Sequence, residues 1–130
     1  MSQSILIADD DPMIRNLLRI MLETADYNVI EAQDGQDALT KITAANPDLM
    51  ILNIMMPKMD GLTVCKTVRS QEETAFLPIL MLSGQAHLMA VNRGLLAGAN
   101  RYITKPMTRD VLLKNLSEIL EPPPANNYPN

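Results

Sequence analysis

Five short segments of this chain are apolar enough to be buried on both faces, and each leads into a stretch whose apolar residues recur at helical spacing. The five are SILIA (4 to 8), NVIEA (28 to 32), DLMILN (48 to 53), PILMLS (78 to 83) and RYIT (101 to 104). Runs of Ile, Leu and Val this short, bounded by turn residues, have the character of strands covered on both sides. Between them, Ile14, Leu17, Leu18 and Met21 share one helix face, as do Ala38, Leu39 and Ile42, and as do Leu112, Leu116, Ile119 and Leu120. Leu62 to Ser70 and Leu88 to Ala97 supply a third and a fourth helix, the latter interrupted by Gly94. Start signals agree: Asp11-Pro12 offers a cap followed by a first-turn proline, and Asp34 and Thr108 are placed to cap the second and last helices. Alternating strands and helices with short links require a parallel sheet with right-handed crossovers and helices on both faces. The prediction is an α/β fold, (βα)5, doubly wound, over residues 1–120. The remaining EPPPANNYPN (121 to 130) ends the last helix with three consecutive prolines and reads as an extended tail or the start of a linker.

Charge and composition remove several functions. With 11 Lys plus Arg scattered along the chain and a net charge of -4, there is no basic surplus for phosphate backbones, so direct nucleic-acid binding is not expected. No apolar run approaches the ~20 residues of a membrane span, and the N-terminus MSQSILIADDD has no signal-peptide pattern, so the expectation is a cytoplasmic protein with no membrane contact. The single cysteine, Cys65, has no partner for an internal disulfide and no metal-spaced neighbour; it reads as a small buried apolar residue. His87, in the loop after the fourth strand, reads as a solvated histidine.

In an open α/β sheet, ligands gather beyond the carboxyl ends of the strands, where the strand order reverses. That rule selects Asp9, Asp10 and Asp11 after the first strand, Asn53 at the end of the third, Ser83 at the end of the fourth, and Lys105 with Pro106 after the fifth. Three successive acids repel one another and serve stability poorly, whereas their oxygens suit a hard dication such as Mg2+, which keeps several waters. Taken singly, Asp11 is a helix cap, Lys105 a solvated lysine, Ser83 a strand-end hydroxyl and Pro106 a turn residue. Placed on strands one, three, four and five in that order, they converge on one edge of the sheet.

This constellation resembles the response-regulator receiver domain of two-component signalling. The resemblance is carried by ILIADDDP (5 to 12), EAQDGQDAL (31 to 39), PDLMILNIMMPKMDGL (47 to 62), PILMLSG (78 to 84) and GLLAGANRYITKP (94 to 106). It implies a flavodoxin-like sheet of order 2-1-3-4-5. It implies further that Asp10 is a direct Mg2+ ligand and Asp9 a second acid acting mainly through water, with the side chain at 53 and the backbone carbonyl of Met55 completing the protein ligands. By the same resemblance Ser83 bonds a phosphoryl oxygen, Lys105 pairs with phosphate or with the acids, Tyr102 changes rotamer with the signalling state, and the Lys105-Pro106 bond is cis. The implied partners are a histidine kinase or phosphotransfer protein, and an output domain or protein partner on the face formed by helix 4, strand 5 and helix 5; the implied state is a monomer or weak homodimer.

The chain departs from the pattern at its centre. Receivers carry at the end of strand three an aspartate that attacks a phosphohistidine or a small phosphodonor, a step that needs a carboxylate nucleophile. Asn53 has a neutral amide there, so normal phosphotransfer is predicted to be lost, whether the asparagine is inherited or was introduced in place of aspartate. Mg2+ affinity is predicted to fall by a net amount on the order of 1–3 kcal/mol, with the amide oxygen still able to coordinate. Asn92, Asn100 and Arg101 make the helix 4–strand 5–helix 5 face less acidic than the family usually has. Two other readings are a phosphorylation-independent pseudo-receiver adaptor, set by partner binding, and a flavin or nucleotide binder. Against the last stand acids where a Gly-rich phosphate loop belongs, and one Phe and no Trp for stacking.

Overall fold

A computed structural model of the protein describes residues 2–121. Its elements alternate without exception: β1 (Ser4–Ala8), α1 (Pro12–Glu23), β2 (Asn28–Ala32), α2 (Gly35–Ala45), β3 (Leu49–Asn53), α3 (Gly61–Ser70), β4 (Ile79–Ser83), α4 (Leu88–Ala97), β5 (Arg101–Thr104) and α5 (Arg109–Leu120). The five strands form one parallel sheet of order β2-β1-β3-β4-β5, as expected. The expected tail from 122 onward lies outside the described residues.

Side-chain alternation along the strands divides the core in two. Leu6, Ala8, Met50, Leu52, Ile79 and Met81 face one way, against Ala38 and Ile42 of α2, Val64, Cys65 and Val68 of α3, and Ala97 of α4. Ile5, Ile7, Leu49, Ile51, Leu80 and Leu82 face the other, against Leu18 and Leu22 of α1 and Leu112 and Leu116 of α5. Each large aliphatic side chain fully buried in this way contributes about 1.5–3 kcal/mol, so the central strands are the firmest part of the scaffold; β3 carries its last residue, Asn53, into the site, and Asp9 and Asp10 follow directly on β1.

Two strands begin one residue later than the apolar pattern suggests. Asp48 spends its carboxylate on the backbone N–H of Ser4 (2.7 Å), and Pro78 has no N–H to give a ladder. Helix starts are held as the sequence indicates at Asp11 (accepting from the Met13 N–H, 2.9 Å), Asp34 (from Asp37, 2.7 Å) and Thr108 (from Val111, 3.2 Å). Two caps are additional. Asp60 accepts from the Thr63 N–H (2.8 Å), and His87, read from sequence as a solvated loop residue, is the cap of α4: its Nδ1 accepts from the Ala90 N–H (3.2 Å). Gly94, which looked like a weakness in α4, has a packing reason. A Cβ there would lie 2.8 Å from the Met81 sulfur and from the Tyr102 ring.

Candidate functional site

The backbone at the carboxyl edge of the sheet brings five of the predicted groups together. Asp9 follows β1 and is only 2% exposed; its Oδ1 accepts the Asp11 N–H (2.9 Å), and its carbonyl accepts from Arg15 Nη1 (2.7 Å). Asn53 ends β3 and is also buried. Its Nδ2 donates toward Asp9 Oδ1 (3.4 Å), Asp10 Oδ1 (3.3 Å) and the Met55 carbonyl (3.0 Å). Lys105 closes the group from just beyond β5, its Nζ donating to Asp9 Oδ2 (3.2 Å) and Asn53 Oδ1 (3.4 Å). The amide therefore turns its nitrogen, not its oxygen, to the two acids.

Ser83 and Tyr102 stand in a second, adjoining group. Ser83 is buried, its Oγ accepts from the Gln85 N–H (3.1 Å), and the Tyr102 hydroxyl donates to the Gln85 carbonyl (2.7 Å). Both therefore grip one residue of the β4–α4 loop, and neither hydrogen-bonds the acids. Backbone pairing ties this group to Lys105, whose N–H donates to the Ser83 carbonyl (2.7 Å). The Lys105-Pro106 peptide bond is cis.

Local folding explains why Asn53 is held. Gly61 starts α3 directly over the Asn53 carbonyl, where any Cβ would collide with that oxygen, and its N–H donates to the Ile54 carbonyl (2.8 Å). The intervening loop is clasped to α2 by an ion pair between Lys58 and Asp34 (3.3 Å). Asp34 is held below the usual carboxylate range, first by the Asp37 N–H and then, against the effect of burial, by Lys58. Sequence reading found Asp34 only as a cap; the paired Lys58, with a positive φ of 68° in the loop, is a connection that spacing does not reveal. Nor does spacing reveal Glu31, which receives Arg15 (3.1 Å) and Arg19 (2.8 Å) beside the site.

Two carboxylates and a main-chain carbonyl are oxygen ligands of the kind a hard cation uses, whereas the Asn53 amide, as oriented, presents N–H donors to those oxygens and not a ligand atom. Among the described residues no three His, Cys, Asp or Glu side chains gather into a group that would hold a metal by themselves. Likewise, among those residues no helix is long and apolar enough to cross a membrane.

Comparison with known proteins gives a consistent family. The family model "Response regulator receiver domain" matches residues 5–117. The DNA-binding dual master transcriptional regulator RpaA of Synechocystis sp. is 40% identical over 116 residues, covering 89% of this chain and 48% of that protein. The chain thus spans about half the length of the curated relatives it matches. Among solved structures, the chemotaxis response regulator CheY4 of Vibrio cholerae superposes with a TM-score of 0.87 at 35% identity, covering 92% of this chain and all of that one (100%). The receiver domain of sensor histidine kinase PA1611 from Pseudomonas aeruginosa PAO1 gives a TM-score of 0.84 at 28% identity over 91% of this chain and 97% of that one, and holds a magnesium ion coordinated in its active-site cleft. With the sheet order, the strand-end acids and the match from Ile5 onward in agreement, this chain belongs to the response regulator receiver domain family of two-component signalling.

Proposed function

We propose that the chain is a signalling switch and protein-binding module in which Asn53 occupies the phosphoacceptor position and does not accept. The observation that carries this reading is the convergence of Asp9, Asp10 and Lys105 on the side chain of residue 53, at the end of the central strand β3. Forming an acyl phosphate requires a carboxylate oxygen to attack phosphorus while the donor's leaving group departs. The Asn53 amide oxygen is neutral, and the nitrogen lone pair is delocalised, so the bond to phosphorus does not form.

The surrounding residues fit the family's other roles. Asp9, Asp10 and the Met55 carbonyl are the groups that would hold Mg2+, which when bound neutralises phosphoryl oxygens. Lys105 and Ser83 would grip those oxygens, and Tyr102, which bonds the same loop residue as Ser83, would report on it. A histidine kinase or phosphotransfer protein is the partner implied for the β–α loops. An output domain or protein partner is implied for the face of α4, β5 and α5, and a cytoplasmic setting for the whole. A pseudo-receiver adaptor, its conformation set by partner binding, is the alternative, and both readings share an Asn53 that does not accept phosphate. Intact mass after incubation with a small phosphodonor and Mg2+ tests it: no phosphoryl gain is expected on the wild-type chain, and a single gain, mapped to residue 53, on Asn53→Asp. A gain at residue 53 of the unsubstituted chain overturns the reading.

A further inference from the structure

The two ends of the Asn53 amide meet opposite surroundings. Nδ2 faces three oxygens, those of Asp9, Asp10 and the Met55 carbonyl, at 3.0–3.4 Å, and Oδ1 faces the Lys105 ammonium at 3.4 Å. Turned by half a revolution, the amide would set its oxygen against three acceptors and its N–H2 against a group that only donates, and each of these contacts would change from attraction to repulsion. The three oxygens around Nδ2 are hard donors of the kind that hold Mg2+.

Building on the acceptor-position reading of residue 53, we infer that the Asn53 N–H2 group stands in for the cation. It fills the place among Asp9, Asp10 and Met55 and competes with Mg2+ for it, in contrast to an asparagine that acts as a weakened ligand through its oxygen. Two polarised N–H bonds shared among three acceptors neutralise part of the charge that an aspartate-bearing site leaves to the metal. For the amide oxygen to reach a cation there, the side chain must invert, and the donor bonds and the Lys105 contact are lost in the same motion. The site is thus closed from within by its own strand-end residue.

This makes an unusual demand on affinity. Deleting the side chain removes a potential ligand oxygen, yet it opens the place to a hydrated cation, so Asn53→Ala binds Mg2+ more tightly than wild type. Titration of metal-free protein with Mg2+, followed by calorimetry, is expected to give the order Asn53→Asp, then Asn53→Ala, then wild type, from tightest to weakest. The gap between the last two is expected to be about tenfold, the size of one net hydrogen bond. Asn53→Ala binding no tighter than wild type overturns the inference. A second measurement needs no substitution: in metal-free, 15N-labelled wild type, the Asn53 side-chain protons exchange with water more slowly than those of the exposed Asn92, and equal rates overturn it. A phosphoryl adduct on wild type would remove the acceptor-position reading while leaving this affinity order standing, so the two failures are distinguishable.

Discussion

At the scale of single residues, the loss of reactivity proposed for Asn53 goes with a relief of charge repulsion. An aspartate in its place would be a carboxylate facing Asp9 and Asp10, and like charges about 4 Å apart repel by roughly 4 kcal/mol at an effective dielectric near 20. Lys105 offsets part of this. Metal-free Asn53→Asp is therefore expected to lose on the order of 1–3 kcal/mol, seen as a lower Tm in chelator that millimolar Mg2+ restores by binding the folded state. An equal or higher Tm in chelator would count against it. The place of Asn53 at the carboxyl end of β3 was legible in the sequence, because the apolar run is broken there. Its orientation was not. Which end of an amide faces which neighbour depends on distances to Met55 and Lys105, and those are set by chain segments far apart in sequence. His87 is an exposed loop residue, as the sequence indicates, but its capping role and the packing reason for Gly94 were not legible, for a similar reason: the imidazole's partner is a backbone N–H created only when α4 forms, and the glycine's neighbours, Met81 and Tyr102, come from two other strands.

At the scale of elements, the clearest coupling joins α1 to β2 beside the site. Glu31 of β2 is bound by Arg15 and Arg19 of α1, and Arg15 also holds the Asp9 carbonyl. Burial disfavours the charged form of Glu31, but the hydrogen bonds and charges of Arg19 and Arg15 outweigh it and hold the carboxyl below its ordinary range. A carboxyl with a depressed folded pKa contributes stability that is present in full above its unfolded value, about 4.3, and is lost as pH falls through the folded value. Glu31→Gln is thus expected to cost about 0.5–1 kcal/mol at neutral pH, a figure reduced for solvent screening. The difference from wild type should shrink to nothing as the pH is lowered below that window. Urea unfolding at a series of pH values measures both, and a gap that persists unchanged into strong acid would sink the assignment. The elements themselves were readable because period and turn chemistry agree along almost the whole chain. Pairing between elements was not, since neither arginine's position on its helix names the strand residue it meets.

At the scale of the molecule, the site and the face opposite its loop are joined through one short path. Ser83 Oγ accepts from the Gln85 N–H, the Gln85 carbonyl accepts from Tyr102, and the Tyr102 ring packs over Gly94 of α4. The face beyond carries exposed Leu88, Met89, Leu95, Leu96 and Val111, together with an Arg101–Glu118 ion pair (2.6 Å), and Asn100 there is committed inward, its Oδ1 accepting the Ile79 N–H (2.8 Å). A phosphoryl group or analogue bonded at residue 53 would draw on the Ser83 hydroxyl. If the Ser83 side chain rotated to donate its O–H there, its Oγ would leave the Gln85 N–H, the loop that Tyr102 holds would loosen, and α4 and β5 would gain a second arrangement. On the proposed reading the wild-type chain has no carboxylate at residue 53 to bear the analogue, so the path would be present without its trigger. In 15N-labelled protein with Mg2+ and beryllium trifluoride, which bonds to a carboxylate oxygen, wild type should show no change at Gln85, Gly94 or Tyr102. Asn53→Asp should show changes at all three, and Ser83→Ala in that background should keep binding at residue 53 while the Gly94 and Tyr102 changes fall away. If those changes survive without the Ser83 hydroxyl, the signal travels by another route, through the Lys105 backbone bond to the Ser83 carbonyl, and the switch lies in β5 rather than in the loop.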